Sequence, residues 1–265
     1  MKRKRKTRHR IRKAAFGLLL VLLCIMMGTG IFYAGKGYGL YRKAITAKSV
    51  DERIRDVRGA EDYTTYMELP QFYIKAAICT EDRRFKDHCG IDLFAIARAA
   101  WADLKALSFV EGGSTITQQL VKNLLFTNEK KLERKAAEVF AALEVESKYS
   151  KEEIFELYAN SVYFGGGYYG IYEASMGYFG KEPSELTDYE SAMLAGVPNA
   201  PSLYSPDTDK EAARRRAGQV LDSMVRQKII TKAEAERIRS SGLIRKFSSI
   251  SAAPTKLRPV HTPSE

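Results

Sequence analysis

The chain opens on thirteen largely basic positions, MKRKRKTRHRIRK, and then turns apolar without a break from Ala14 to Ala34, AAFGLLLVLLCIMMGTGIFYA. A helix of twenty-one residues spans roughly 30 Å, the thickness of a hydrocarbon core. Phe32 and Tyr33 stand at its far end, where an aromatic belt would sit. The run is long for the apolar region of a cleaved signal peptide, and no A-x-A site follows, so the pattern predicts an uncleaved anchor. No second run of 18 apolar residues follows it, so a single pass is expected.

Beyond the anchor the pattern changes twice. Residues 35–68 read as a polar, charged connector with Gly35, Gly37 and Gly39 at its start. From Leu69 the apolar positions recur at three- and four-residue steps, as with Ile74, Ala77 and Ile78, which is helical spacing. IDLFAIARAAWADLKAL, ITQQLVKNLLF, LERKAAEVFAALEVESKY, SKEEIFELYANSVYF and LTDYESAMLAGV continue in that style. Ser150 before Glu153 and Thr187 before Glu190 fit capping boxes. Strand-like alternation is scarce, so residues 69–240 are predicted to form one mainly α domain. Residues 241–265, rich in Ser, Pro, Thr and basic side chains, are expected to be a disordered tail.

Charge changes the picture only once it is divided. The 265 residues carry a net +11, but nine Lys and Arg fall within residues 1–13, leaving only +2 for the rest. The positive charge therefore belongs to a tail, not to a folded basic face, and no nucleic-acid partner is expected. Cations before the apolar run favour a cytoplasmic N-terminus, with the large domain outside, and could also meet anionic lipid. Three cysteines exclude a disulfide-framework fold, and Cys79 and Cys89 read as buried thiols in preference to a bridge. Without C-x-x-C or H-E-x-x-H spacing, a structural zinc site is not expected.

Four clusters could carry chemistry. In the first, from Glu81 to Asp92, Glu81 continues the apolar stripe of Ile74 and Ile78. It should lie at the edge of the core, where desolvation raises a carboxyl pKa and suits it to general-base work. In the second, Gly112 and Gly113 lead through Ser114 and Thr115 into a helix carrying Gln118, Gln119 and Lys122. A helix start of this kind attracts anions, although the P-loop signature is absent. In the third, Arg134 and Glu138 share a helix face four residues apart, beside the small Ala137, Ala141 and Ala142. On spacing alone, a surface ion pair is the favoured reading. The fourth, Glu156-Leu157-Tyr158-Ala159-Asn160 before a glycine-rich aromatic turn, reads as structural.

Together, in this order, the residues resemble a known family. E-D-x-x-F-x-x-H-x-G-x-D is met by Glu81, Asp82, Phe85, His88, Gly90 and Asp92. G-G-S-T-I-T-Q-Q-L-V-K-N is met from Gly112 to Asn123, and R-K-x-x-E by Arg134, Lys135 and Glu138. Glu156, Tyr158 and Asn160, Tyr178 to Lys181, and the Ala195 to Pro206 segment follow in register. The chain resembles the glycosyltransferase family 51 peptidoglycan transglycosylases over about residues 74–224. Glu111 and Ala159 stand where relatives often carry Gln and Leu.

The resemblance implies an α-helical, lysozyme-like, two-lobed domain, with Trp101 to Val110 as a mobile membrane-proximal segment whose apolar contacts are Trp101, Leu104, Leu107 and Phe109. It implies lipid II as substrate, polymerised with inversion into β-1,4 glycan with release of polyprenyl diphosphate. Glu81 matches the base and Glu138 the second glutamate, which would orient cations or help hold a divalent metal such as Mg or Mn. Asp82, Phe85, His88, Ser114, Thr115, Gln118, Gln119, Lys122, Asn123, Arg134 and Lys135 would line the substrate site. Expected partners are lipid II, the growing strand and membrane lipids, with penicillin-binding proteins and the elongation or division machinery as family-level candidates. The transpeptidase motifs S-x-x-K, S-x-N and K-T-G are absent from the sequence, which predicts a monofunctional enzyme without peptide crosslinking. A lysozyme-like glycan-cleaving enzyme and an idle cell-wall scaffold are the alternatives.

Overall fold

The computed structural model describes residues 2–106, 112–126 and 131–244. Among them there is no β-strand, only an isolated antiparallel bridge between Tyr163 and Tyr169. The mainly α class is thus the one observed. In chain order the helices are α1 (Lys2–Ala47), α2 (Val50–Arg58), α3 (Gln71–Glu81), α4 (Leu93–Ala106), α5 (Ile116–Leu125) and α6 (Leu132–Lys148). They continue with α7 (Lys151–Ser161), α8 (Ile171–Phe179), α9 (Asp188–Gly196), α10 (Pro201–Tyr204), α11 (Lys210–Arg226) and α12 (Lys232–Ile244).

Local chemistry sets these boundaries. Capping boxes open α2 at Ser49 with Glu52, α5 at Thr115 with Gln118, α7 at Ser150 with Glu153 and α9 at Thr187 with Glu190. Each satisfies backbone N–H groups that would otherwise lack partners. Asp209 caps α11 in the same way. Gly180, in the left-handed region at φ 66°, stops α8.

Apolar faces then sort the helices into two packing groups. α3, α9 and α11 lie together, with α12 against α9; α5 lies against both α6 and α7, and α1 runs along α6. One continuous core joins the groups, with Tyr73, Phe85, Ile116, Leu120, Phe155, Tyr158, Met193 and Leu221 fully buried.

The connector is more ordered than its polarity suggested. α1 carries on from the apolar run to Ala47, and α2 buries Val50 and Ile54 in the core. At the other end α12 continues to Ile244, past the expected boundary at 240. Residues 245–265, most of the expected tail, lie outside the described residues. One described helix is long and apolar enough to cross a membrane, with its apolar stretch over Phe16–Ala47. The three cysteines are free. Cys79 is buried beside Ser223, but Cys89 is exposed, because it sits on the turn after the Glu81 helix and not on its apolar face.

Candidate active site

Glu81 is the last residue of α3, at the junction of the two helix groups. Its Oε2 accepts a hydrogen bond from Gln119 Nε2 on α5 at 2.8 Å. Its Oε1 is buried with no partner among the described residues. Burial pushes the Glu81 carboxyl up from the ordinary value of 4.5, against the opposing pull of the Gln119 bond and of Arg216.

A cationic cluster stands on α6, and its charges reach Lys122 as that of Glu81 does. Glu138 is 1% exposed, and each of its oxygens holds a cation. Arg134 Nη1 reaches Oε1 at 2.5 Å, and Lys135 Nζ reaches Oε2 at 2.6 Å. Lys135 Nζ also donates to Ser114 Oγ at 2.7 Å, tying the α5 entry loop to α6. The surface ion pair favoured on spacing alone is instead a clamp on a buried carboxylate. Lys122, two turns into α5, has no ion-pair partner among the described residues. Burial lowers its pKa from 10.5, while the charges of Glu138 and Glu81 raise it, so it lies within electrostatic reach of both glutamates.

Several other expected contacts are occupied internally. Asp82 and His88 face each other, with Nε2 at 2.9 Å from Oδ2. The same Oδ2 accepts from Ile116 N at 3.0 Å, so Asp82 fastens the first turn of α5. Gly90 N donates to His88 Nδ1, and Gly90, at φ 87°, is in a left-handed conformation that favours glycine, where a Cβ would also crowd the Ala142 carbonyl oxygen at 3.1 Å. Phe85 is a core ring beside Phe155 and under the Lys151 ammonium. Thr115 and Gln118 are buried in their own capping box, and Thr115 Oγ1 donates to Gly90 O at 2.7 Å. Asn123 points its amide at Ser161 O. Glu81, Gln119, Lys122, Ser114, Arg134, Lys135 and Glu138 thus share one site; Asp82, Phe85, His88, Thr115 and Gln118 hold its walls, and Asn123 lies to one side.

A transglycosylase family model matches residues 48–225, more than half of the chain. The chain belongs to the transglycosylase family. Curated relatives of this transglycosylase include penicillin-binding protein 1A of Vibrio cholerae, 45% identical over 68% of this chain and 22% of that protein. Penicillin-binding protein 1A of Aquifex aeolicus is 44% identical over 66% of this chain and 24% of its own length. Penicillin-binding protein 2D of Bacillus subtilis is 44% identical over 62% of this chain and 24% of its own length. The transglycosylase therefore spans about a quarter of the length of the curated relatives it matches.

The fourth cluster has a structural role in this transglycosylase. Glu156 accepts from Tyr63 Oη and from Tyr66 N, and Asn160 exchanges hydrogen bonds with both the N–H and the C=O of Thr64. These bonds bind the end of the connector to α7. Sequence reasoning missed Arg216 on α11, the strongest charge acting on Glu81, because nothing in the spacing links positions 135 residues apart. It also passed over Tyr73 and Tyr158, whose hydroxyls are buried without partners among the described residues.

The donor set does not fit a divalent ion held by the protein alone. Among the described residues no three His, Cys, Asp or Glu side chains gather, and Glu138 already pairs with two cations.

Proposed function

We propose that the chain polymerises lipid II into β-1,4-linked glycan with inversion, releasing polyprenyl diphosphate. The observation that carries this reading is a desolvated carboxylate, Glu81, within electrostatic reach of Lys122, which the Arg134 and Lys135 cations reach in turn. A sugar 4-hydroxyl is a weak nucleophile and needs a base; a diphosphate leaving group needs positive charge. The unpaired Glu81 Oε1 takes the proton of the acceptor 4-hydroxyl as its oxygen attacks the donor C1. The bond from C1 to the diphosphate oxygen breaks, and its electron pair leaves with the diphosphate. Lys122, Arg134 and Lys135 meet that charge, with Glu138 holding the last two in place. One displacement on the far side of C1 inverts its configuration.

The surroundings agree with a lipid-linked donor. Leu93, Phe94 and Trp101 on α4 are 73%, 70% and 60% exposed, a patch that favours contact with lipid. Of the expected membrane-proximal segment, Leu107, Phe109 and Val110 lie outside the described residues. With nine cations ahead of the apolar helix, the N-terminus sits in the cytoplasm and the site on the outer face of a bacterial membrane. Without transpeptidase motifs, the chain makes glycan and does not crosslink it.

The test uses full-length protein in detergent with labelled lipid II and a divalent cation, beside Glu81→Gln. High-mass glycan that lysozyme digests, from the wild type alone, supports polymerisation with Glu81 as base. Fragmentation of added polymer, or polymer from both proteins, overturns it.

A further inference from the structure

We propose that Gly37, on the helix that enters the membrane, is a positioning residue for the reaction: it seats α6 and thereby fixes Arg134, Lys135 and Glu138. The role rests on the polymerase reading above.

Gly37 is buried on a helix whose neighbouring positions are exposed. A Cβ there would fall on the Ala136 Cβ and within 2.8 Å of the Ala136 carbonyl carbon and the Ala137 nitrogen. At Gly35 and Gly39, two residues to either side, a Cβ would meet nothing within 4 Å. All three lie within one helix, so backbone conformation does not demand glycine at any of them; at Gly37, space does.

The contact is part of a continuous seam. Lys36 Nζ pairs with Glu133 at 3.3 Å, Tyr38 and Tyr41 pack against Phe140 at 5.3 and 6.2 Å between ring centroids, and Tyr41 Oη donates to Glu144 at 2.6 Å. Positions 133, 136, 137, 140 and 144 fall on one face of α6 at 100° per residue, Lys135 and Glu138 fall on the opposite face, and Arg134 lies on the flank between them. α6 is therefore a beam pressed by the anchor helix on one side and carrying the cations on the other. Because α1 is unbroken from the apolar run to Ala47, the anchor belongs to the scaffold of the site and is more than a tether.

A methyl group at position 37 must push α6 toward the cleft by about 1 Å, a displacement that can cost on the order of 100-fold in rate. The test compares full-length wild type, Gly37→Ala, Gly35→Ala and Gly39→Ala in one detergent, measuring kcat and KM on lipid II and the melting temperature. Gly37→Ala is expected to lower kcat at least tenfold, with a smaller change in KM, and to melt lower; the other two keep wild-type kcat and do not melt lower. Wild-type kcat in Gly37→Ala, or an equal fall in all three variants, overturns the proposal. If Gly37→Ala does not fold, Tyr41→Phe removes only the bond to Glu144 across the same seam. A fall in its kcat of about fivefold supports the seat, and an unchanged value overturns it. Wild-type protein that makes no polymer yet melts above Gly37→Ala sinks the reaction and the catalytic role while leaving the packing contact. Active wild type with indifferent Gly37→Ala sinks the seat alone.

Discussion

Gln119 donates to one oxygen of Glu81 at 2.8 Å and leaves the other oxygen buried and unpaired. One residue therefore holds the proposed base in orientation while its other oxygen is kept free of competing donors. The direction of the Glu81 shift gives the first prediction. In the proposed role Glu81 acts ionised, and burial raises its pKa above 4.5. The acid limb of kcat/KM should therefore lie above the ordinary glutamate range. Gln119→Ala removes a donor that favours the ionised form, so that limb should move to higher pH. A pH–rate profile of the two proteins decides it, and an unmoved limb excludes Gln119 from this role. Lys122, lowered from 10.5 by burial, gives the matching alkaline limb below the ordinary lysine range.

The same shift has a consequence for stability. An acid whose pKa is raised in the fold binds more protons folded than unfolded, so stability falls as pH rises from 4.5 through the folded value. At neutral pH, Glu81→Gln should therefore melt above the wild type while losing activity. Equal melting at pH 7 would show that the charge is not desolvated.

Glu138 is clamped by Arg134 and Lys135 with 1% of its surface exposed. Glu138→Ala leaves two cations facing each other and should cost about 3 kcal/mol of stability, by chemical denaturation. In the proposed reaction it should also lower kcat by on the order of 100-fold, because Arg134 and Lys135 lose their positions. Loss of stability with kcat intact would confine Glu138 to folding.

Asp82 carries both His88 and the first N–H of α5, that of Ile116. Asp82→Ala should cost about 3 kcal/mol, seen as a shifted denaturation midpoint with unchanged slope. His88→Ala should cost the same or less, since the Ile116 bond survives. A fully stable Asp82→Ala would free Asp82 for a substrate contact.

Trp101 is the single tryptophan of the chain and is 60% exposed on α4. Reconstituted into vesicles, the protein should show a blue-shifted emission quenched by lipids brominated near the headgroup, relative to protein in solution-like detergent. Emission unchanged on reconstitution would place α4 away from the bilayer.

How much of this was legible in the sequence depended on the range of the interactions involved. The anchor, the helical class and the capping boxes at Ser150 and Thr187 follow from runs, three- to four-residue periods and short fixed offsets, all of them local. The burial of Glu81 was legible too, because it continues the stripe of Ile74 and Ile78 on its own helix. Local spacing could pair Arg134 with Glu138 but could not say that the pair is buried, since burial depends on Ser114 and the α5 entry arriving from another part of the chain. Nor could it divide the motif residues. Asp82 and His88 look as reactive as Glu81 in the sequence, yet fold topology turns them toward each other and toward Ile116. The connector shows the limit most plainly. Gly37 is one of three alternating glycines, identical in local context. Only the packing of α1 on α6, between residues about 100 apart in the chain, makes one of them a close contact and leaves the other two open.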